Sequence, residues 1–256
     1  RMHTAPQFLN VLRGAQEPSP GGPLSRRPSL VIAGATGMLG NEVVRILAGS
    51  TRFGAVHVLA REPVRTGIAR VSLAVCTGDV VSDWPSLPAD VAIAMFEPPR
   101  LFYQRERALW VPRVDQVAAL AHWLHGCGVH TLVVVMPHAQ GQMPAGLQPG
   151  FANLTEQSVS ALGFERVIWV RNAEQSTTRA RAWTHRVRDL LLSVFGYMVP
   201  PSQRPVRATQ VAQVVAHCLR LAPAGVHVIG AEQLWLTSRG DIAKTLTGWF
   251  RPSPPT

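Results

Sequence analysis

Three glycines, Gly34, Gly37 and Gly40, carry the clearest chemical signal in this chain. They punctuate Gly34-Ala-Thr-Gly-Met-Leu-Gly40, directly after the apolar run Ser29-Leu-Val-Ile-Ala33. A glycine at the end of a buried strand lets the chain turn sharply. A second one lets backbone amides approach an anion with no Cβ in the way, and a third allows close helix packing. The amides of Thr36, Gly37, Met38 and Leu39 would then face a negatively charged group at the positive end of a helix. That arrangement suits the pyrophosphate of a dinucleotide. A tight turn in an α/β protein that binds no nucleotide is the alternative.

Two further positions bear on the same ligand. Arg61 follows Leu59-Ala60, where a carboxylate would accept hydrogen bonds from an adenosine ribose. A guanidinium there suits a 2′-phosphate, which favours NADP(H) over NAD(H). Arg65 or Arg52 would assist, and a solvated arginine is the bland reading. Gly78-Asp79 is expected to end a strand, with the Asp79 carboxylate in reach of an adenine amino group. Met95, at the end of another apolar run, completes the expected cofactor set.

The elements that must position these residues follow from periodicity. Apolar runs predict strands at Ser29–Ala33, Ala55–Ala60, Val71–Val75, Val91–Met95, Thr131–Met136, Val167–Val170 and Gly225–Gly230. Helices are expected after Gly37 (Val43, Val44, Ile46 and Leu47 on one face), near Pro112 (Val114, Val117, Ala118, Ala121 and Leu124), and over Asn153–Leu162. Later helices would use Trp183, Val187, Leu190, Leu191, Val194 and Phe195, then Val211, Val214, Val215, Cys218 and Leu219. A last helix would begin near Ser238 with Asp241 in its first turn. Short apolar strands alternating with helices predict a Rossmann-type doubly wound parallel sheet, with a small C-terminal substrate-side lobe. Residues 1–28, rich in proline and glycine at their end, are expected to be a flexible extension. Residues 29–256 are expected to form the dinucleotide-binding domain, with the substrate-side lobe in 171–256.

Composition narrows the partners. The formal net charge is +10, almost all from arginine, and Lys244 is the single lysine. The basic residues are dispersed, with no interleaved aromatics, so nucleic acid is not the expected partner. No uncharged apolar run of about 18 residues predicts a membrane span. Cys76, Cys127 and Cys218 lie far apart in apolar contexts, which suits a reducing cytoplasm.

Together, Gly34-Ala-Thr-Gly-Met-Leu-Gly40, the Leu59-Ala-Arg61 exit and Gly78-Asp79 resemble the atypical short-chain dehydrogenase/reductase proteins, the NmrA-like NAD(P)-binding group in particular. The resemblance continues through Leu162-Gly-Phe-Glu-Arg-Val-Ile-Trp-Val-Arg171, Arg207-Ala-Thr-Gln-Val-Ala-Gln-Val-Val-Ala216 and Gly225-Val-His-Val-Ile-Gly230, and covers about residues 29–249. It implies a Rossmann fold, a nicotinamide dinucleotide and oxidoreductase ancestry.

The departures concern chemistry. Active members of that family use a Tyr-x-x-x-Lys pair, in which the lysine lowers the tyrosine pKa and binds ribose. Counting back from Phe164-Glu165-Arg166, the pair would fall near Gln148 and Ala152. Tyr103 and Tyr197 are the only tyrosines, and neither is followed by a lysine at that spacing. Tyr103 and Arg107 mimic the spacing, but arginine is no tunable ammonium. The family's serine after the fifth strand is replaced by Pro137-His138, and its Arg-Pro after the sixth is Arg171-Asn172.

His138 is the weak catalytic candidate, since an imidazole titrates near neutral pH and would donate a proton to a carbonyl. A structural loop histidine is the alternative. Glu97 would face the cleft, with a solvated loop carboxylate as the simpler reading. Tyr103 would line the pocket or simply pack. His122, His125 and His130 lack metal-ligand spacing, so no metal site is expected. Arg179, Arg181, Arg186 and Arg188 would form a solvated helical face or a wall for an anionic substrate. Two functions remain open: an NADP(H)-dependent oxidoreductase with a non-standard acid, and a non-catalytic dinucleotide sensor with a protein partner.

Overall fold

The computed structural model describes residues 26–63, 67–100, 102–138, 155–173 and 206–250. Among them, seven strands form one sheet in the order β3-β2-β1-β4-β5-β6-β7. The strands are β1 (Ser29–Ala33), β2 (Ala55–Ala60), β3 (Val71–Val75), β4 (Val91–Met95), β5 (Thr131–His138), β6 (Arg166–Ala173) and β7 (Gly225–Ile229), and every pairing is parallel. The chain runs outward from β1 to β3, then crosses back to place β4 on the other side of β1. This is the Rossmann-type doubly wound order, and its switch point lies between β1 and β4.

β1 and β4 are buried along their whole length, as a sheet covered on both faces requires. Alternate residues feed two cores. Leu30 and Ile32 of β1 join Val43 and Leu47 of helix α1 (Gly37–Gly49) and Val211, Val215 and Leu219 of a later helix (Ala208–Leu221). Val31 and Ala33 face the other way, toward Leu120, Ala121 and Leu124 of α3 (Val117–Gly126). In that second core Trp84 meets Trp110 and Trp123 edge-on, with ring centroids 4.7 and 5.4 Å away. Edge-to-face contact is the geometry that aromatic quadrupoles favour.

Between these elements lie the short helix α2 (Gln104–Arg107), and after them α4 (Ala208–Leu221), α5 (Ala231–Arg239) and α6 (Ile242–Phe250). β1 and β4 start together because Asp90 accepts from Ser29 twice, from its backbone N (2.6 Å) and from its hydroxyl (2.9 Å). The Ser29 N–H, the largest influence, holds the Asp90 carboxyl below its ordinary value against the opposing effect of burial.

Several expectations need correction. β5 and β6 each run past the predicted ends, and their register continues to His138 opposite Ala173. The helix expected at Pro112 begins as a 3-10 turn at Val114–Gln116, with Val114 exposed and Leu120 and Trp123 buried in its place. The last helix starts at Ile242 instead of near Ser238, and a separate helix, Ala231–Arg239, precedes it. The chain breaks at Gly240, and the Asp241 carboxylate accepts the Lys244 N–H at 3.1 Å, so Asp241 caps α6 instead of lying within its first turn. Residues 155–160 are helical, at the place expected for Asn153–Leu162. Residues 1–25 and the helix expected around Trp183–Phe195 lie outside the described residues.

Candidate functional site

The glycine turn sits where β1 ends, at the switch point, and enters α1. Gly34 has φ +74°, and a Cβ there would stand 1.9 Å from the Met95 carbonyl oxygen of β4. Only a residue without a side chain lets β1 turn this close to its neighbour. Met95 itself is fully buried in the first core, with its backbone against the turn. Gly40 presses on the backbone of Ala35, 2.4 Å from where its Cβ would be, which seats α1 against the turn.

A helix begins with backbone N–H groups that lack an intrahelical partner. Thr36 is the residue placed to cap α1, yet its side chain makes no cap. The buried Thr36 hydroxyl donates instead to the Glu97 carbonyl. The free amides are satisfied by two distant carboxylates. Glu97 accepts from the Met38 N–H (3.0 Å) and the Leu39 N–H (2.7 Å), one with each carboxylate oxygen. Glu106 accepts from the Gly37 N–H at 3.0 Å. The Glu97 carboxylate reaches into the space that a Cβ on Gly37 would fill, 2.1 Å from that position.

Glu106 is buried and heavily bonded. It also accepts from Asn41 Nδ2 (2.8 Å), from the Arg100 backbone N–H (2.9 Å) and from Arg100 Nε (2.8 Å), with a further bond from Arg100 Nη2. Burial, the largest single influence, raises its pKa. The bonds from Arg100, Gly37 and Asn41 outweigh that and hold the carboxyl below its ordinary value. The Arg100 guanidinium in turn lies 3.7 Å from the Tyr103 ring centroid.

Glu97, Arg100 and Glu106 all belong to the connection that follows β4. That connection folds back over the carboxyl ends of β1 and β2 as a strap. The Gly34 N–H donates to the Trp110 carbonyl (3.0 Å), the Arg61 N–H to the Ala108 carbonyl (2.7 Å) and the Trp110 N–H to the Leu59 carbonyl (3.0 Å). Ala60 bridges Leu109. The strap therefore covers the carboxyl ends of β1 and β2.

Of the residues singled out from sequence, Gly34, Thr36, Gly37, Met38, Leu39 and Met95 come together at the turn. Arg61 stands exposed at the exit of β2, beside the strap. Asp79 lies beyond the end of β3, which stops at Val75, in an exposed turn where Gly78 has φ +90°. Arg52 is at the wrong end. It precedes β2, and its guanidinium donates to the Leu219 carbonyl at 2.5 Å. Burial, then Arg166 and Arg220, lowers its pKa. Glu97 is not a solvated carboxylate but a partner of the turn. Glu106 was missed, because a lone acid in Gln104-Arg105-Glu106-Arg107 reads as a solvated charged turn. Tyr103 is half exposed, with the Arg100 guanidinium over its ring.

His138 ends β5, at the same carboxyl edge as the turn. Arg171 pairs with Glu156 at 2.5 Å. Gln148, Ala152, Arg65 and the arginines at 179, 181, 186 and 188 lie outside the described residues. Among the described residues no cluster of three or more His, Cys, Asp or Glu side chains could hold a metal ion. His125 packs on Phe164, and His130 faces Glu165 at 3.6 Å. No described helix is long and apolar enough to cross a membrane.

No family model and no curated protein matches this chain. Solved structures similar to it include MoeE5 in complex with UDP-glucuronic acid and NAD, at 17% identity and TM-score 0.47, covering 78% of this chain and 75% of that one. A nucleoside-diphosphate-sugar epimerase from Staphylococcus aureus aligns at 16% identity and TM-score 0.48, covering 78% and 70%. The Citrobacter sp. triphenylmethane reductase complexed with NADP(H) aligns at 15% identity and TM-score 0.47, covering 78% and 68%. The strand order alone establishes the Rossmann class.

Proposed function

We propose that this chain is an NADP(H)-binding protein of the atypical short-chain dehydrogenase/reductase kind, with 29–256 as the binding unit and a substrate-side lobe within 171–256. One observation carries the reading: three consecutive backbone amides, Gly37 to Leu39, converge at the switch point and hold anionic oxygens. A phosphate oxygen accepts the same N–H groups as a carboxylate oxygen, so the cradle fits a pyrophosphate once Glu97 withdraws. Gly34, Thr36, Gly37, Met38 and Leu39 would hold the phosphates, with Met95 beneath them and Asp79 toward the adenine. The exposed Arg61 supports a 2′-phosphate, hence NADP(H) over NAD(H). The nicotinamide would supply hydride chemistry when bound. His138, whose backbone ends β5, would be the weak candidate to offer a proton to a substrate carbonyl. Three free, buried cysteines suit a reducing compartment such as the cytoplasm.

A non-catalytic sensor is the second reading, and one observation favours it. The cradle is closed by the chain's own carboxylates, while the Tyr-x-x-x-Lys pair is absent from the sequence. A protein that responds to a dinucleotide needs the cradle and not the pair. Titration with NADPH and NADH by fluorescence, followed by NADPH consumption with aldehydes, ketones and quinones, separates the two. Binding with no turnover, and no effect of His138→Ala, rejects the enzyme. Binding of neither nucleotide rejects both readings. Arg61→Ala should weaken NADPH about tenfold and leave NADH unchanged, the scale of one lost charge-assisted contact. Equal weakening of both would refute the selectivity.

A further inference from the structure

We infer that the strap after β4 is a built-in latch on the phosphate cradle, with the Glu97 carboxylate as an internal anion that a dinucleotide must displace. The inference rests on the dinucleotide reading above and adds to it the regulation of that site. Glu97 uses both carboxylate oxygens on the Met38 and Leu39 amides, and Gly37 leaves the space it reaches into. A pyrophosphate needs those same amides and carries the same sign of charge, so the two cannot occupy the cradle together.

Glu97 and Glu106 are built differently. Glu106 is buried and fixed by Gly37, Asn41 and Arg100. Half-buried Glu97 makes only the two amide bonds with its side chain among the described contacts, and Pro98-Pro99 follow it directly. Glu97 is thus the part that swings out, while Glu106 anchors the strap to the first amide of α1. The strap's backbone bonds to Gly34, Arg61 and Leu59 hold the rest of it in place. Withdrawal of Glu97 therefore frees the Met38 and Leu39 amides while the strap stays anchored through Glu106.

The test compares wild type with Glu97→Ala and the isosteric, uncharged Glu97→Gln by calorimetry against NADPH, NADH and inorganic pyrophosphate. Thermal melting of each variant reports folding. Both variants should bind NADPH and pyrophosphate at least tenfold more tightly than wild type. Equal or weaker NADPH binding by both folded variants overturns the latch and leaves the dinucleotide reading standing. Tighter pyrophosphate with no dinucleotide bound by any protein keeps the latch and overturns the dinucleotide reading. No binding of any probe to any folded protein overturns both.

Discussion

Two parts of the same sheet edge differ in kind. At the exit of β1, backbone geometry makes an anion site: glycines at Gly34 and Gly37 with positive φ, and three amides aimed at one place. At the exits of β5 and β6, the site would have to be made by side chains, and the residues there are Pro137-His138 and Arg171-Asn172. The first part depends on backbone and so tolerates much sequence change around its glycines. The second depends on whichever functional groups the side chains carry, and the sequence has no Tyr-x-x-x-Lys at any position. Backbone amides and side chains thus make different demands on the sequence within one fold.

The comparison can be broken most forcefully at Gly34. Gly34→Val should destabilise the protein by about 3 kcal/mol or more, from left-handed backbone strain plus a collision with the Met95 carbonyl. Urea denaturation measures it, and a loss below about 1 kcal/mol would mean the turn is looser than drawn.

Next in size is Glu106. Replacement by alanine leaves the Gly37 amide, Asn41 and Arg100 without their acceptor. Breaking a buried ion pair from one side costs about 3–5 kcal/mol, and less here because Arg100 is partly open to water. We expect about 2 kcal/mol by denaturant titration. A neutral result would show that the strap is not anchored at this residue.

The smallest effect is on pH. The carboxyls of Glu106 and Asp90 are both held below their ordinary values. Each therefore adds stability that is complete above the unfolded carboxylate pKa, about 4, and is lost as pH falls through the lower folded value. The melting temperature should drop below about pH 4 in wild type, and Glu106→Gln should flatten part of that drop. An unchanged profile in Glu106→Gln would remove Glu106 from the acid-sensitive set.

Much of the frame was readable from local pattern. The strands β1 to β4 stand where apolar runs put them, and β1 and β4, covered on both faces, show the continuous hydrophobic signature most fully. The glycine turn was readable because its demand is conformational and local. The helix Ala231–Arg239 and the later start at Ile242 were not, because Ser238 and Asp241 both read as helix-start residues. Arg52, read from sequence as an assistant to Arg61, precedes β2 while Arg61 follows it, so the two lie at opposite edges of the sheet.

By itself, the sequence determined the parallel α/β order, the position of the glycine turn and the absence of a Tyr-x-x-x-Lys pair. The tertiary structure decided what occupies that turn. Glu97 and Glu106 lie 59 and 69 residues along the chain from the Met38 and Gly37 amides they bind. No local pattern encodes such a partner. The crossover from β4 places the strap over the edge, and the unsatisfied amides of α1 then take the nearest carboxylates, since a helix start left without acceptors is costly.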